Sequence, residues 1–358
     1  MQEQAIAVAV SGGVDSLYAL ASLKDAGETV MALHGRFREY PAGEDPVPGL
    51  AENCARLGIP LHVADLRAAF AEQVMRPFAE RYAAGLTPNP CALCNARVKF
   101  GLLFDKATEL GAARLATGHY ARRLAHPKYG EVFGAAADER KDQSYFLSLV
   151  PPDRLARALF PLAGITKDAA RRAVRALGLT VPLPKESQEI CFVPGNDYRA
   201  FISQMGITLS GAGPVELAGP ERRIIGRHEG LWRYTEGQRH GLGIAWTEPL
   251  FVTGKDVVRN TLLVGTAAAL RRESCVADQV CLHVSPHLWP EVVWVRVRYR
   301  QKAVRAAVSV TEGPAGTRLA IRFAERQAMA APGQVAAVYD GDGILLAGGF
   351  LSPEQPVT

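Results

Sequence analysis

The chain has 358 residues, of which 48% are hydrophobic and 22% are charged. No apolar run approaches the roughly 18 residues of a membrane-spanning helix, and six cysteines are too few for a disulfide scaffold, so both classes are excluded. The net charge of +5 permits a polyanionic partner without requiring one. The length favours two or three domains, at roughly 150 residues per domain. The N-terminus lacks the basic flank and cleavage site of a secretory signal, so we expect a cytoplasmic protein.

Short apolar runs alternate with segments of helical periodicity in the first part of the chain. The predicted strands are 5–10, 29–33, 60–66 and 113–118. The predicted helices are 16–26, 50–58, 67–84 and 95–110. Because successive βαβ units produce a parallel sheet with helices on both faces, this order predicts an α/β fold with a doubly wound parallel sheet. Active sites of such sheets lie at the carboxyl ends of the strands.

The chain is mainly helical from about 144 to 204 and rich in strands afterwards. Thr166 is a predicted helix N-cap, and Gly178 is the corresponding stop. Closely spaced glycines and prolines, with short alternating runs between them, predict a small β-rich central domain. The nearly continuous strand patterns that follow predict a C-terminal β-barrel. The expected domains are 1–204, 205–274 and 275–358.

Two strand patterns of the C-terminal part are specific enough to be tested. The run VAAVYDGDGILLAGGF predicts a hairpin turned at Asp340 to Gly343. Alternation along VVWVRVRYR predicts a strand with three valines and Tyr299 on one face. The other face would carry a tryptophan and a row of arginines, which suits a phosphate backbone. Without further support, such a row is the solvated outer face of a barrel. The residues predicted for that face are Trp294, Arg296, Arg298 and Arg300.

SGGVDS, residues 11–16, lies between the first predicted strand and the first predicted helix. Its glycines allow close approach of a ligand, and its backbone N–H groups and two serine hydroxyls can form an anion cradle. The loop lacks the lysine of the G-x-x-x-x-G-K-[ST] motif, so it is not an ordinary kinase or ATPase loop. The carboxylate of Asp15 fits such a cradle if Mg²⁺ bridges it to phosphates. The alternative is a tight strand-to-helix turn without a ligand.

The cysteines of two loops are candidates for chemistry. Cys91 and Cys94 form a C-x-x-C pair ahead of a predicted helix, where a helix N-terminus would lower the pKa of a thiol. Cys191 lies in a second proline-rich loop. A closed zinc site needs four nitrogen or sulfur ligands, and no second C-x-x-C or H-x-x-x-H follows, so structural zinc is disfavoured. The remaining cysteines are expected to be packing residues: Cys54, Cys275 and Cys281.

Nine strings spread along nearly the whole chain carry a family likeness. They are SGGVDS at 11–16, TPNP…CN…VKF at 87–100, ATGHYA at 116–121, KDQSYFL at 141–147, KESQEICF at 185–192, YTEGQRHGLGI at 234–244, GKD at 254–256, RYRQ at 298–301 and APGQ…VYDG at 331–341. Together they resemble the tRNA-specific 2-thiouridylases, and the two cysteine loops with KDQSYFL are the most specific. The resemblance implies an adenine nucleotide alpha-hydrolase-like fold for the first domain.

The resemblance also implies a reaction. ATP would adenylate the C2 oxygen of the wobble uridine of certain tRNAs, and sulfur would then replace that oxygen. Cys191 would carry the sulfur as a persulfide received from a relay protein or a cysteine desulfurase. Cys94 would free hydrosulfide from it or form a disulfide with Cys191. ATP and Mg²⁺ are the expected cofactors, and the ATP-binding residues implied are Ala9, Val10, Ser11, Gly12, Gly13, Val14, Asp15, Ser16, Gly35 and Gly118.

The resemblance further places tRNA contacts in both cysteine-flanking and C-terminal segments. Considered in isolation, a lone histidine at a strand end is more often a core residue, and K-D-Q is an ordinary helix start. The likeness favours tRNA contact for both. The residues implied are Asn89, Pro90, Cys91, His119, Lys141, Asp142, Gln143, Arg298, Tyr299 and Gln334.

The chain departs from the commonest family pattern at Cys91, where an aspartate is usual. The acid or base role of that carboxylate is therefore in doubt, although a thiolate can also exchange a proton. A second interpretation uses the departure, because Cys91, Cys94 and Cys191 could hold a four-iron four-sulfur cluster with one iron left open. Two further alternatives are a non-catalytic tRNA-binding relative and an amidotransferase-type synthetase with the same ATP loop.

Overall fold

The computed structural model describes residues 5–184, 190–219, 222–313, 316–328 and 330–353. These residues form a parallel sheet with flanking helices, a small central sheet and a closed barrel. None of the helices in these ranges combines the length and the apolar character that crossing a bilayer requires.

A parallel sheet forms the centre of the first unit. The strands described in this unit are β1 (Ile6–Ala9), β2 (Val30–Arg36), β3 (Leu61–Asp65), β4 (Arg114–Thr117), β5 (Arg122–His126), β6 (Gly130–Gly134) and β7 (Ala158–Leu159). Five of them form a sheet in the order β3-β2-β1-β4-β7 with every neighbouring pair parallel, and β5 and β6 form a separate antiparallel hairpin. The predicted α/β fold is confirmed. The two-residue strand β7 was not predicted, because so short a strand leaves no periodicity to detect.

Helices surround this sheet. They are α1 (Val14–Asp25), α2 (Val47–Leu57), α3 (Arg67–Phe70), α4 (Arg76–Ala83), α5 (Pro90–Cys94), α6 (Leu103–Glu109), α7 (Ser144–Leu147), α8 (Pro152–Ala156), α9 (Lys167–Ala176) and α10 (Tyr198–Gln204). π-helical segments join α3 to α4 and α5 to α6, at Ala71–Met75 and Asn95–Leu102. The Thr166 side chain accepts a hydrogen bond from the N–H of Ala169, and Gly178 has φ +64° beyond the helix end, so both predicted boundaries of α9 are confirmed.

Alternation along β1 divides the core into two layers. Ile6 and Val8 belong to the cluster that packs against α1, α2 and α9, whereas Ala7 belongs to the cluster that packs against α6. Both faces are buried, as expected of a central parallel strand. Ala9 pairs with Leu33 on one side and Thr117 on the other, so the carboxyl ends of β1, β2 and β4 lie side by side.

The central unit is a four-stranded sheet, which confirms the predicted β-rich segment. Its strands are β8 (Gly213–Leu217), β9 (Arg223–His228), β10 (Phe251–Asp256) and β11 (Thr261–Gly265). They are ordered β10-β11-β8-β9 around a small apolar cluster.

The C-terminal part of the chain closes into a barrel, as predicted. Its strands are β12 (Arg271–Leu282), β13 (Val293–Arg296), β14 (Val304–Gly313), β15 (Gly316–Ala328), β16 (Val335–Tyr339) and β17 (Leu345–Leu351). The closed order is β12-β15-β14-β13-β16-β17. β16 and β17 form the predicted hairpin, turned at Asp340 to Gly343, where Gly343 has φ +76°.

The predicted arginine face needs correction. β13 ends at Arg296, and the segment that carries Arg298, Tyr299 and Arg300 is a turn. The three valines do point into the barrel core, but Tyr299 packs against Phe146 outside it, with ring centroids 4.3 Å apart. The pairing of β13 with β14 ends at Val295–Val304, and its pairing with β16 ends at Arg296–Ala337, so the ladders stop before Arg298.

Candidate active site

The loop at residues 11–16 lies at the carboxyl end of β1 and leads directly into α1. Gly12 has φ +91°, a conformation that favours glycine, and Gly13 is the N-cap of α1. The Ser16 hydroxyl donates to the Gly13 carbonyl at 2.9 Å and accepts from the Ser11 N–H at 3.2 Å. These contacts hold the loop in a tight turn that presents backbone N–H groups, the arrangement that binds phosphate.

Two glycines lie at the ends of β2 and β4, the strands on either side of β1. Gly118 comes directly after β4 and packs tightly against the loop. A Cβ at this position would lie 2.8 Å from the Ser16 nitrogen and 2.9 Å from the Asp15 carbonyl carbon. Gly35 lies near the carboxyl end of β2, where a Cβ would lie 2.6 Å from the Phe37 ring. The structure therefore brings the expected ATP-binding segments to one edge of the sheet.

Gly118→Ala is expected to raise the KM for ATP about tenfold or more. The added methyl group must displace the backbone at Ser16, and shifts of about 1 Å in a site cost up to about a hundredfold in rate. ATP-dependent AMP formation measures the effect. Gly164→Ala is the matched control, because nothing lies within 4 Å of its added Cβ. An unchanged KM in Gly118→Ala would contradict the close contact between Gly118 and the backbone at Ser16.

The carboxylate of Asp15 has two partners that sequence reasoning missed. The Tyr120 hydroxyl donates to Asp15 Oδ1 at 2.9 Å, and the Lys167 ammonium donates to Asp15 Oδ2. The Lys167 side chain is only 8% exposed, at the first position of α9. Asp15 is 28% exposed, so a ligand in the loop can reach it. A carboxylate beside a phosphate cradle is a suitable donor for Mg²⁺.

The C-x-x-C pair lies on α5, a helix of five residues. The Asn89 side chain caps it by accepting from the Ala92 N–H at 3.1 Å. Cys91 is exposed and Cys94 is half-buried. Here the prediction of lowered pKa values is wrong: desolvation by the surrounding protein raises the pKa of Cys91 to about 11 and that of Cys94 to about 12. The short helix supplies too small a dipole to offset that desolvation.

The structure brings Cys191 to the same place. After desolvation, the charge of Cys191 is a further cause that raises the pKa of both Cys91 and Cys94. Phe192 and Ile190 pack in the cluster that also contains Cys94, which fixes the second loop against the first. Residues 185–189 of the KESQEICF string lie outside the described residues. All six cysteines are free thiols, and Cys54 is buried in the first core as predicted.

The positive charge of one lysine acts on all three thiols. The half-buried Lys99 lowers the pKa of Cys91, Cys94 and Cys191, in opposition to the larger desolvation. It lies five residues after Cys94 on the π-helical segment, where i and i+5 share a face. The sequence contains this lysine within the VKF string, but its spacing alone does not indicate that its charge acts on Cys191 of the second loop.

Alkylation of Cys91 by iodoacetamide is expected to be slow at pH 7.5 and to rise about tenfold per pH unit up to about pH 10. The thiolate is the reactive form, and its fraction grows about tenfold per pH unit as long as the pH stays below the raised pKa, about 11. An unperturbed thiol, with a pKa of roughly 8.5, would level off above about pH 9. Mass spectrometry of the Cys91 peptide gives the rate, with the same peptide in denaturant as control. If the alkylation rate levels off below pH 8, the charge of Lys99 and the dipole of α5 lower the pKa of Cys91 more than desolvation raises it.

The loop before α5 is held by both other units. Gln334 donates from Nε2 to the carbonyls of Thr87 (2.9 Å) and Pro88 (3.2 Å). Lys255 donates to the Gly85 carbonyl at 2.7 Å and pairs with Glu236 at 3.7 Å, both side chains being 3% exposed or less. Desolvation raises the pKa of Glu236 and lowers that of Lys255. The central unit and the barrel thus position the cysteines.

The expected tRNA-binding residues fall into buried and accessible groups. The Asp142 side chain is fully buried and bonded to Arg296, Ser144 and the Ala136 N–H. His119 is 8% exposed and hydrogen-bonds to Thr117 at 2.8 Å, and burial lowers its pKa well below the usual value. The side chains of Asp142 and His119 therefore make their hydrogen bonds inside the protein. The half-buried or exposed members are Cys91, Lys141, Gln143, Arg298, Tyr299 and Gln334, whereas Asn89 and Pro90 are buried.

One group of potential metal ligands occurs among the described residues, formed by His126, Asp340 and Asp342, whose ligand atoms lie within 4.8 Å of one another. His126 Nδ1 accepts from the N–H groups of Lys128 (3.2 Å) and Tyr129 (3.3 Å). The neutral ring therefore carries its proton on Nε2, whereas a metal-ligating histidine donates from its second nitrogen. This group is not arranged as a metal site.

Comparison with known proteins gives a consistent result over the three units. Family models match residues 4–195 (tRNA methyl transferase HUP domain), 207–266 (tRNA methyl transferase PRC-barrel domain) and 273–350 (aminomethyltransferase beta-barrel domain). The tRNA-specific 2-thiouridylase MnmA of Nitratidesulfovibrio vulgaris strain DP4 is 54% identical over 351 residues, covering 98% of this chain and 99% of the relative. The enzyme of the same name from Lawsonia intracellularis is 48% identical over 350 residues, covering 97% and 99%.

Proposed function

Because the chain belongs to the family of tRNA-specific 2-thiouridylases, we propose that it uses ATP to replace the C2 oxygen of the wobble uridine of tRNA with sulfur. The observation that carries the proposal is the convergence of three thiols from two loops in the unit that holds the phosphate loop. The relatives match almost the full length, so neither the non-catalytic alternative nor the synthetase alternative is favoured.

The first step is adenylation. The uridine C2 oxygen attacks the α-phosphate of ATP, the bond to the β-phosphate breaks, and pyrophosphate leaves. The loop at 11–16 binds the phosphates through its N–H groups, and Gly35 and Gly118 border the nucleotide site at the ends of the strands on either side of β1. Asp15 would hold Mg²⁺, which neutralises phosphate charge when bound. The C2 oxygen of uridine is a poor leaving group by itself. Adenylation allows it to leave as part of AMP.

The second step transfers sulfur. The terminal sulfur of a Cys191 persulfide attacks C2, and the C–O bond to AMP breaks. The Cys94 thiolate then attacks the Cys191 sulfur, which leaves 2-thiouridine and a Cys94–Cys191 disulfide. A donor protein, either a relay protein or a cysteine desulfurase, must supply the persulfide sulfur, and a reductant must restore the thiols. Lys99 favours the thiolate and persulfide anions in both transfers.

A second sulfur route has a specific observation in its favour. Cys91, which replaces the usual aspartate, lies beside Cys94 and Cys191, and three thiolates are the protein ligands of a four-iron cluster with one open iron. In number and type these thiols match the protein ligands of such a cluster. When bound, it would supply an iron to which hydrosulfide can attach.

We assign the chemistry to the domain at 1–204 and tRNA contact to the accessible members of the expected set. Arg298 and Tyr299 lie on the turn after β13, and Tyr299 is close enough to Cys91 for the thiolate charge to raise its pKa, after desolvation. A uridine at the thiols would thus have an aromatic ring beside it. The domain at 275–358 would supply this contact, and 205–274 would hold the loop before α5 through Lys255.

The test is incubation of protein purified without oxygen with ATP, Mg²⁺, tRNA and a persulfide donor, namely a cysteine desulfurase with cysteine, and in a parallel reaction with sulfide. Release of AMP and appearance of 2-thiouridine by mass spectrometry are expected. Absence of both would overturn the proposal. Iron and acid-labile sulfide, measured in the wild type and in Cys91→Ser, separate the two sulfur routes. Stoichiometric iron that is lost in the variant supports the cluster, and iron-free protein that still thiolates tRNA supports the persulfide.

A further inference from the structure

Three arginines lie close to the carboxyl ends of β2 and β3, and two of them are paired with carboxylates. Arg36 pairs with Asp45 at 2.6 Å, and Arg67 pairs with Asp65 at 2.6 Å. The third, Arg38, is half-buried and forms no ion pair in the described part of the chain, where its guanidinium donates to the backbone carbonyl of the next residue at 3.1 Å. Because a guanidinium is a strong donor to anions, Arg38 is available to an anionic ligand.

The orientation of Arg38 is set by an aromatic ring. Its guanidinium lies over the Tyr40 ring, 4.9 Å from the centroid. The Tyr40 hydroxyl is 3.4 Å from His34 Nε2, and His34 Nδ1 is 2.8 Å from the Val10 carbonyl oxygen. Burial lowers the pKa of His34, so the ring is neutral, with its proton on Nδ1 and its acceptor at Nε2. The buried histidine thus fixes the ring on which Arg38 lies.

Three phenylalanines place Arg38 beside the second cysteine loop. Phe37 stacks on Phe70 with ring centroids 5.5 Å apart, and Phe70 meets Phe192 edge-on at 5.6 Å. Phe37 directly precedes Arg38, and Phe192 directly follows Cys191. The segment after β2 and the loop of Cys191 are therefore fixed to the same aromatic cluster.

The charges agree with this placement. Desolvation raises the pKa of Cys191, and the positive charges of Lys99 and Arg38 oppose it. Lys99 acts on all three thiols, whereas Arg38 acts on Cys191 alone among them. The other titratable groups coupled to Cys191 are the remaining two thiols and Tyr40. Cys191 is exposed, so a sulfur donor can reach it.

We propose that Arg38 binds the terminal sulfur of the Cys191 persulfide when that sulfur arrives from the donor. This role rests on the persulfide route of the proposed function. The Cys191 thiolate attacks the terminal sulfur of a donor persulfide, the donor S–S bond breaks, and the donor leaves as a thiolate. The proton of the transferred sulfur passes to that thiolate, so the persulfide on Cys191 is an anion. No oxidant is needed, because the transferred sulfur keeps its oxidation state. The guanidinium stabilises the anion and holds it at the mouth of the site.

Transfer of sulfur from glutathione persulfide to the full-length protein tests this role without ATP or tRNA. Arg38→Met is expected to slow formation of the Cys191 persulfide about fivefold or more, because one unit charge beside the anion is lost. Arg38→Lys keeps the charge and is expected to stay within about threefold of the wild type. Arg67→Met is the matched control, since Arg67 is a neighbouring arginine already paired with Asp65. Mass spectrometry after trapping with iodoacetamide measures the persulfide, and alkylation of Cys91 in the same sample reports on the integrity of the site.

Two results would overturn the assignment of Arg38. One is an unchanged rate of persulfide formation in Arg38→Met. The other is equal slowing of the Cys191 and Cys91 reactions that Arg38→Lys does not restore, which would make Arg38 a structural residue.

Failure of this inference is distinct from failure of the proposed function. If the wild type forms 2-thiouridine but no persulfide on Cys191, the function stands and the role of Arg38 is overturned in favour of the cluster route. If the persulfide forms and depends on Arg38, but neither AMP nor 2-thiouridine appears, the proposed function fails while the role of Arg38 stands.

Discussion

Replacing Cys191 with serine is expected to abolish tRNA thiolation, by about a thousandfold or more, while tRNA-dependent release of AMP and pyrophosphate continues. Serine can occupy the position of the thiol, but it cannot carry a persulfide or ligate iron. The phosphate loop, with Asp15 and its partners Tyr120 and Lys167, does not depend on Cys191 for any contact in the described residues. Adenylation and sulfur transfer should therefore separate in this variant.

Cys275→Ser is the matched control for that experiment. Cys275 is a half-buried thiol whose pKa desolvation raises to about 12, but it packs in the barrel and is distant from the phosphate loop. Thiolation at the wild-type rate is expected there. Both activities are measured in one reaction, by mass spectrometry of the nucleosides and by quantifying AMP. Unchanged thiolation in Cys191→Ser would contradict both sulfur routes, and loss of AMP release would show that the second loop also organises the ATP site.

Periodicity was sufficient to predict the main architecture. β1 to β4 and the barrel hairpin are each specified by local patterns, because strand alternation and turn glycines act over a few residues. The predictions were wrong where the extent of a strand depends on the neighbouring strands that pair with it. The run at 293–300 alternates as a strand should, yet the strand stops at Arg296, where its pairing with both neighbours ends, at Val295–Val304 with β14 and at Arg296–Ala337 with β16. Whether a strand continues depends on its neighbours in the sheet.

The site was predictable to the extent that its motifs are local. The loop at 11–16 and the two cysteine loops are visible as strings, but Lys167 is 152 residues from the Asp15 it contacts. No spacing in the sequence announces such a pair. The pKa of Cys91 shows the same limit, because the helix that was expected to lower it is local, and the desolvation that raises it comes from the folded chain.

Asp142→Ala is expected to destabilise the protein by about 3–5 kcal/mol, the usual cost of removing one partner of a buried ion pair. The Asp142 carboxylate accepts from the N–H of Ala136 at 3.0 Å and from Ser144, and it pairs with Arg296 of the barrel. Its removal leaves the Arg296 guanidinium, 14% exposed, without the carboxylate to which it is hydrogen-bonded. Because Lys141 and Gln143 flank Asp142, weaker tRNA binding should accompany the loss of stability.

The double variant Asp142→Ala/Arg296→Met should recover part of the lost stability, since it removes the uncompensated charge together with its partner. Urea denaturation of the single and double variants measures both effects. Glu131→Ala is the surface control: it removes the pair with Arg123, whose side chains are 53% and 32% exposed, and it should cost no more than about 1 kcal/mol. A loss of that small size in Asp142→Ala would mean that water replaces the carboxylate. The interface between the parallel-sheet unit and the barrel would then be held mainly by the apolar cluster that contains Tyr145, Val335 and Leu345.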